Sequence, residues 1–299
     1  MTTDETSISS FLEKFEIKVV DIHLGIHGNR KTSPMIQISR GSYPGVEPHI
    51  VTIADIAQWV PDITPDGDLR VTYPQSSIPE VNSLSLDICR QSWERFLSTT
   101  ERLMGFLENY RERISNGMYP TALWIHYFMN WPHQTWHSRR LESTPIDQWI
   151  EYVDSSIRPH IRELNEFGLV TRESCSGHPD DHPAREPFWP YVMFEERAYP
   201  GISAHLFTLA DMACWIPTYG RHGFDVSLEI PRDVELTRGN IESYWNQLIS
   251  STRQLMPLLE DYISTSGVDF YTNMSNPSLF RMPANFQCKD MSTTGDFSR

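Results

Sequence analysis

Eleven consecutive residues, Arg172 to His182, gather a thiol, two imidazoles and three carboxylates around a glycine and a proline. Cys175, His178 and His182 stand in C-x2-H-x3-H order. A soft thiolate with two imidazoles suits zinc or another transition metal, and Asp181, with Asp180 beside it, can add a carboxylate oxygen. Gly177 lets the backbone turn tightly between the ligands. The same residues admit a second chemistry, in which Cys175 is a catalytic nucleophile and His178 the base that lowers its pKa. A third reading is structural: a tight loop with a buried thiol and solvated His and Asp side chains. Residue types alone leave the three open and name no reaction.

The elements around the stretch predict where it sits. Pro145 to Phe167 reads as a helix, with apolar residues at Ile146, Ile150, Val153, Ile157, Ile161 and Leu164 and a stop at Gly168. Leu169 to Ser174 reads as a short strand and Trp189 to Glu195 as the next, so the loop joins a predicted hairpin. Thr208 is expected to cap a helix that Pro217 ends. Gly223 to Ile230 alternates as a strand. Thr237 is expected to cap a long amphipathic helix to Ser264, with Pro257 inside it. Val268 to Met274 is a further short strand in this reading.

An internal repeat organises the chain. Tyr43 to Pro61 lies over Tyr199 to Pro217 at a constant offset of 156, with ten of nineteen positions identical. Asp68–Tyr73 is matched to Gly223–Leu228, Trp93 to Trp245, and Leu103–Tyr110 to Leu255–Tyr262. Placing Gly25 on Gly177 sets His23 on Cys175 and Asn29 on Asp181, so the first copy carries altered groups, His23 and His27 among them. The first copy repeats the plan: a helix from Ser7 to Lys14, strands at 16–24, 34–40 and 68–73, a helix from Thr52 to Trp59, a long helix from Ser83 to Ile114, and a strand at 121–130. His49 and His205, Asp55 and Asp211 recur in both copies inside apolar surroundings, where a carboxylate needs a partner. They are expected to be structural hydrogen-bond partners. The aromatic stretch with Trp124, Tyr127, Phe128, Trp131 and Trp136 is expected to cover the seam between copies.

The predicted fold is α+β: an internally duplicated pseudo-dimer, each repeat a small mixed or antiparallel sheet covered by helices. Its boundaries are 1–130, a linker at 131–143, 144–284, and a polar, disordered tail at 285–299.

Composition narrows the function classes. The net charge of −14 argues against a broad nucleic-acid-binding face. No apolar run is long enough for a membrane span, and the acidic N-terminus is the opposite of a signal peptide, so a cytoplasmic location is expected. Four cysteines without short-range pairing, Cys89, Cys175, Cys214 and Cys288, predict no disulfide framework. Cys89 and Cys214 read as buried thiols.

The helix through Glu163-Leu164-Asn165 and the strand running into Glu173-Ser174-Cys175-Ser176-Gly177 carry a local resemblance. The pattern resembles the signature of the wybutosine-synthesising tRNA methyltransferases, where a Thr-Ser-Ser-Cys-Ser-Gly-Arg run follows a similar helix and strand. His178 stands here where that family has arginine. The resemblance implies an S-adenosylmethionine-binding loop at Ser174, Ser176 and Gly177. The sequence thus leads to an enzyme or ligand-binding protein, taking a metal or a small molecule at Cys175, His178, Asp181 and His182. The rival class is a non-catalytic, acidic interaction protein.

Overall fold

The structure, a computed structural model, describes residues 4–27, 30–74, 86–115, 146–177, 189–195, 198–199, 201–219 and 225–265. The strands expected at 121–130 and 268–274, the aromatic stretch, the linker and the tail lie outside the described residues, as do the boundaries assigned to them.

The first lobe opens with α1 (Glu5–Glu13), capped where Asp4 Oδ1 accepts the Ser7 N–H at 2.8 Å. Strands β1 (Val19–His23) and β4 (Met35–Ile38) form an antiparallel hairpin, with the short ladder of β2 (Ile26–His27) and β3 (Arg30–Lys31) between them. Helix α2 (Val46–Ala57) follows, then β5 (Val60–Ile63), β6 (Leu69–Thr72), α3 (Leu86–Phe106) and α4 (Glu108–Ser115). The second lobe has α5 (Arg158–Glu166), β7 (Thr171–Cys175), β8 (Tyr191–Glu195), α6 (Ile202–Ala213), β9 (Ile216–Tyr219), β10 (Asp225–Glu229) and α7 (Arg238–Thr265).

Each lobe holds one four-stranded antiparallel sheet, ordered β1-β4-β6-β5 and β7-β8-β10-β9. The order, the register and even the irregularities repeat. A bulge interrupts β1 between Val19 and Asp21 and β7 between Thr171 and Glu173. The α+β fold and the duplication expected from sequence are therefore both present.

The helices form the central layer. α2 and α6 pack against each other, and nearly every residue of both is buried. A helix that is apolar all round belongs in a core, and these two are walled by α3 and α7 as well as by each other. Each sheet turns its apolar face inward: Ile36, Ile38, Leu69 and Val71 in one, Val192, Phe194, Val226 and Leu228 in the other.

Several expectations are corrected. Thr208 is not a cap and Thr52 does not begin a helix; both lie inside helices that start six residues earlier, at Val46 and Ile202. The N-caps are Gly45 and Gly201, held at φ 80° and 79°, so no side chain marks the start. Pro145–Phe167 is not one helix. Two 3-10 turns, Ile146–Gln148 and Ile150–Tyr152, precede α5. Pro159 sits in the first turn of α5 and has no N–H to continue a helix from upstream. Leu107 separates α3 from α4 where a single helix is expected. Strand β9 stands where Pro217 reads as a stop, and β5 holds its counterpart Pro61. Both are edge strands, where a proline needs no ladder partner for its missing N–H.

The repeat register also shifts. Pro61 faces Val71 and Pro217 faces Leu228, so Asp68 corresponds to Asp225 and not to Gly223. A slip of two residues keeps every side chain on its face, so alternation alone does not detect it. The Thr237 cap is present, its Oγ1 accepting the Asn240 N–H at 3.2 Å.

Candidate functional site

Strand β7 carries Cys175 to the end of the second sheet. Residues directly opposite in an antiparallel ladder share a face. Cys175 faces Tyr191, Glu173 faces Met193, and Tyr191 faces Glu229. All five point away from the apolar core, onto the outer face. Burial pushes the Tyr191 phenol up, helped by the charge of Glu173, to which it hydrogen bonds. Arg172, released from the ladder by the bulge, reaches across the same face to Asp225 at 2.8 Å and Glu195 at 3.4 Å. Those two carboxylates are buried, and the guanidinium supplies the compensating charge.

The turn after Cys175 is fixed from three sides. Asp154 Oδ2 accepts the Ser176 N–H at 3.0 Å. The Gly177 N–H points at Cys175 Sγ, 3.4 Å away. Gly177 has φ +83°, and a Cβ there would lie 2.5 Å from Pro190 and 3.3 Å from Ile241. Only glycine fits that backbone and that space. Gly25 in the first lobe is the same device, with φ +93° and Pro34 at 2.9 Å.

Cys175 is half-buried, and burial pushes its thiol above the ordinary range. The Gly177 N–H opposes this and the Asp154 charge reinforces it. A resting nucleophile needs the reverse shift. Of the remaining sequence-predicted site residues, Ser174 is half-buried on the opposite face of β7 and Ser176 is buried in the turn. His178, Asp181 and His182 lie outside the described residues. Among the described residues no three His, Cys, Asp or Glu side chains are grouped as a metal site.

The first lobe keeps the frame and changes the chemistry. His23 faces Met35 where Cys175 faces Tyr191, and His23 Nε2 lies 3.2 Å from Asp21, the counterpart of Glu173. Sequence reasoning placed Cys175 and missed Glu173, Tyr191 and Asp154. Alternation along the predicted hairpin would have put Glu173 and Tyr191 on the face of Cys175; nothing in the sequence marks Asp154.

The recurring His and Asp residues are hydrogen-bond partners, as expected, and they pair across the lobes. His49 Nε2 meets Asp211 at 2.8 Å, and His205 Nε2 meets Asp55 at 2.9 Å, all four side chains at 0–1% exposure. Nδ1 of each ring meets a phenol, Tyr43 at 3.1 Å and Tyr199 at 3.2 Å. Burial raises both phenols, which therefore hold their protons. With a neutral ring, the phenol donates to Nδ1 and Nε2–H donates to the opposite lobe's carboxylate. Between the two pairs, Thr52 and Thr208 hydroxyls meet at 2.8 Å. Thr208 also donates to the Pro48 carbonyl, so Thr52 is the donor to Thr208. This cluster is closed to solvent and is structural.

Comparison with family models, curated proteins and solved structures returned no match. No helix among the described residues is long and apolar enough to cross a membrane.

Proposed function

We propose that the chain binds a small molecule or metal ion on the outer face of its second sheet, with Cys175 at the centre and His178, Asp181 and His182 as the groups that close the site. The observation that carries this reading is the placement of Cys175. Its sulfur stands half-buried on a polar face beside Tyr191 and Glu173, on the strand end that leads directly into the histidine-bearing stretch. The contrast between lobes supports it: the same hairpin, bulge and glycine–proline clamp present different side chains in the two copies. A metal would displace the thiol proton on binding, which a raised thiol pKa opposes without preventing. The S-adenosylmethionine reading assigns Ser174, Ser176 and Gly177 to the cofactor and belongs to the same turn.

Elemental analysis and zinc titration test the metal form. Near-stoichiometric metal is expected, reduced at least tenfold in affinity by Cys175→Ser or His178→Ala. Absence of metal with binding of S-adenosylmethionine in calorimetry would transfer the turn to that cofactor. Absence of both favours a second reading, an acidic interaction protein, for which Glu173 and Glu229 share one face.

A further inference from the structure

We propose that the α2–α6 seam also forms between two copies of this chain, giving a dimer in which lobe 1 of one copy pairs with lobe 2 of the other. The seam is self-complementary. His49, Thr52 and Asp55 on α2 recur as His205, Thr208 and Asp211 on α6, at the same three positions. Each helix offers the group that the other needs, and the bonds run reciprocally at 2.8 and 2.9 Å on either side of the Thr52–Thr208 contact. That is the geometry of an isologous, two-fold interface.

The lobes are also separable units. Each sheet is complete within its own lobe, and among the described residues no strand pairs across the seam. Between Ser115 and Ile146 lie thirty residues, 116–145. Fully extended, that length reaches about 100 Å. By length alone, the covalent connection does not confine lobe 1 to its own lobe 2. The remaining cross-lobe bonds, such as Arg113 to the Cys214 carbonyl, re-form equally well in either pairing.

The tether also sets when exchange occurs. Pairing within one chain does not depend on concentration, whereas pairing between chains weakens on dilution, so dilute chains close on themselves. Chains that fold in concentrated solution capture a neighbour's lobe. Reopening requires separating both buried His–Asp pairs, so the population set during folding persists after dilution.

Thr52→Cys/Thr208→Cys in the full chain reads this directly. The protein is refolded from urea at two concentrations about a hundredfold apart, oxidised mildly, and run on a denaturing, non-reducing gel. A disulfide-linked dimer whose share rises severalfold with refolding concentration is the expected result. Intrachain disulfide alone at both concentrations overturns the proposal. So does a linked dimer that forms equally in the single variants, which would come from the native thiols or from pairing of like helices. Light scattering on the unmodified protein, refolded the same way, covers the case in which the variant does not fold. A dimer that persists on dilution supports exchange, and a monomer at both concentrations refutes it.

Discussion

Two side chains show how the surroundings of a residue decide its behaviour. The Cys175 thiol is raised by burial and by Asp154, and lowered by the Gly177 N–H. A thiol raised on folding contributes stability at pH values below the ordinary thiol range and loses that contribution as pH rises through it. Alkylation of Cys175 in the native protein should thus lag behind a free thiol at pH 8 and catch up only in more alkaline solution. Asp154→Asn keeps an oxygen for the Ser176 N–H and removes the charge, so the rate at pH 8 should rise, though by less than relief of burial would give; an unchanged rate would show that the charge is not felt. The indoles make a second contrast. Trp215 Nε1 donates to the Tyr244 carbonyl at 3.1 Å, whereas the equivalent Trp59 Nε1 is buried without a partner. Both rings are buried in aromatic clusters, so Trp→Phe loses similar packing at each. Trp215→Phe should cost about 1 kcal/mol more than Trp59→Phe, since only the former breaks a hydrogen bond. Urea midpoints of the two variants measure the difference.

Elements were legible in the sequence where a side chain announces them. The repeat placed His23 on Cys175 and Gly25 on Gly177, and the paired registers His23–Met35 and Cys175–Tyr191 confirm that alignment. Helix starts were missed because Gly45 and Gly201 cap without side chains, and β5 and β9 were missed because proline reads as a break. Those prolines, with the bulges in β1 and β7, mark the four edges of the two larger sheets, among the described residues, as poor templates for added strands. The candidate site was legible as a turn and not as a face, since Glu173 and Tyr191 are ordinary strand residues until the hairpin pairs them. Two glycines test how the turn is held. Gly168 and Gly177 both have φ +83°, but a Cβ at Gly168 meets nothing within 4 Å and at Gly177 meets Pro190 at 2.5 Å. Gly168→Ala should cost about 1–2 kcal/mol, the left-handed backbone alone. Gly177→Ala should add roughly 1–3 kcal/mol of overpacking. Chemical denaturation of the pair separates strain from contact, and equal losses would mean that Pro190 yields freely.

The whole molecule unfolds as its seam dictates. Both buried pairs take one partner from each lobe, so neither lobe can lose its fold without stranding an imidazole or a carboxylate of the other. Loss of either lobe breaks both pairs and exposes the apolar faces of α2 and α6 besides. A state with one lobe folded is therefore disfavoured, because it gives up both cross-lobe pairs and hydrates apolar helix surface that joint folding buries. Thiols in the two lobes report on this. Cys89 is buried in α3 of the first lobe, and Cys214 is half-buried at the end of α6 in the second. Their labelling should switch on at the same urea concentration, in one transition. Asp211→Ala leaves His49 without its acceptor in lobe 1 and removes a side chain from lobe 2. If the seam couples the lobes, both thiols move together to lower urea. Two separate transitions in the unmodified protein, or a shift confined to Cys214 in the variant, would mean that the lobes stand independently and that the cross-lobe pairs contribute little to holding them.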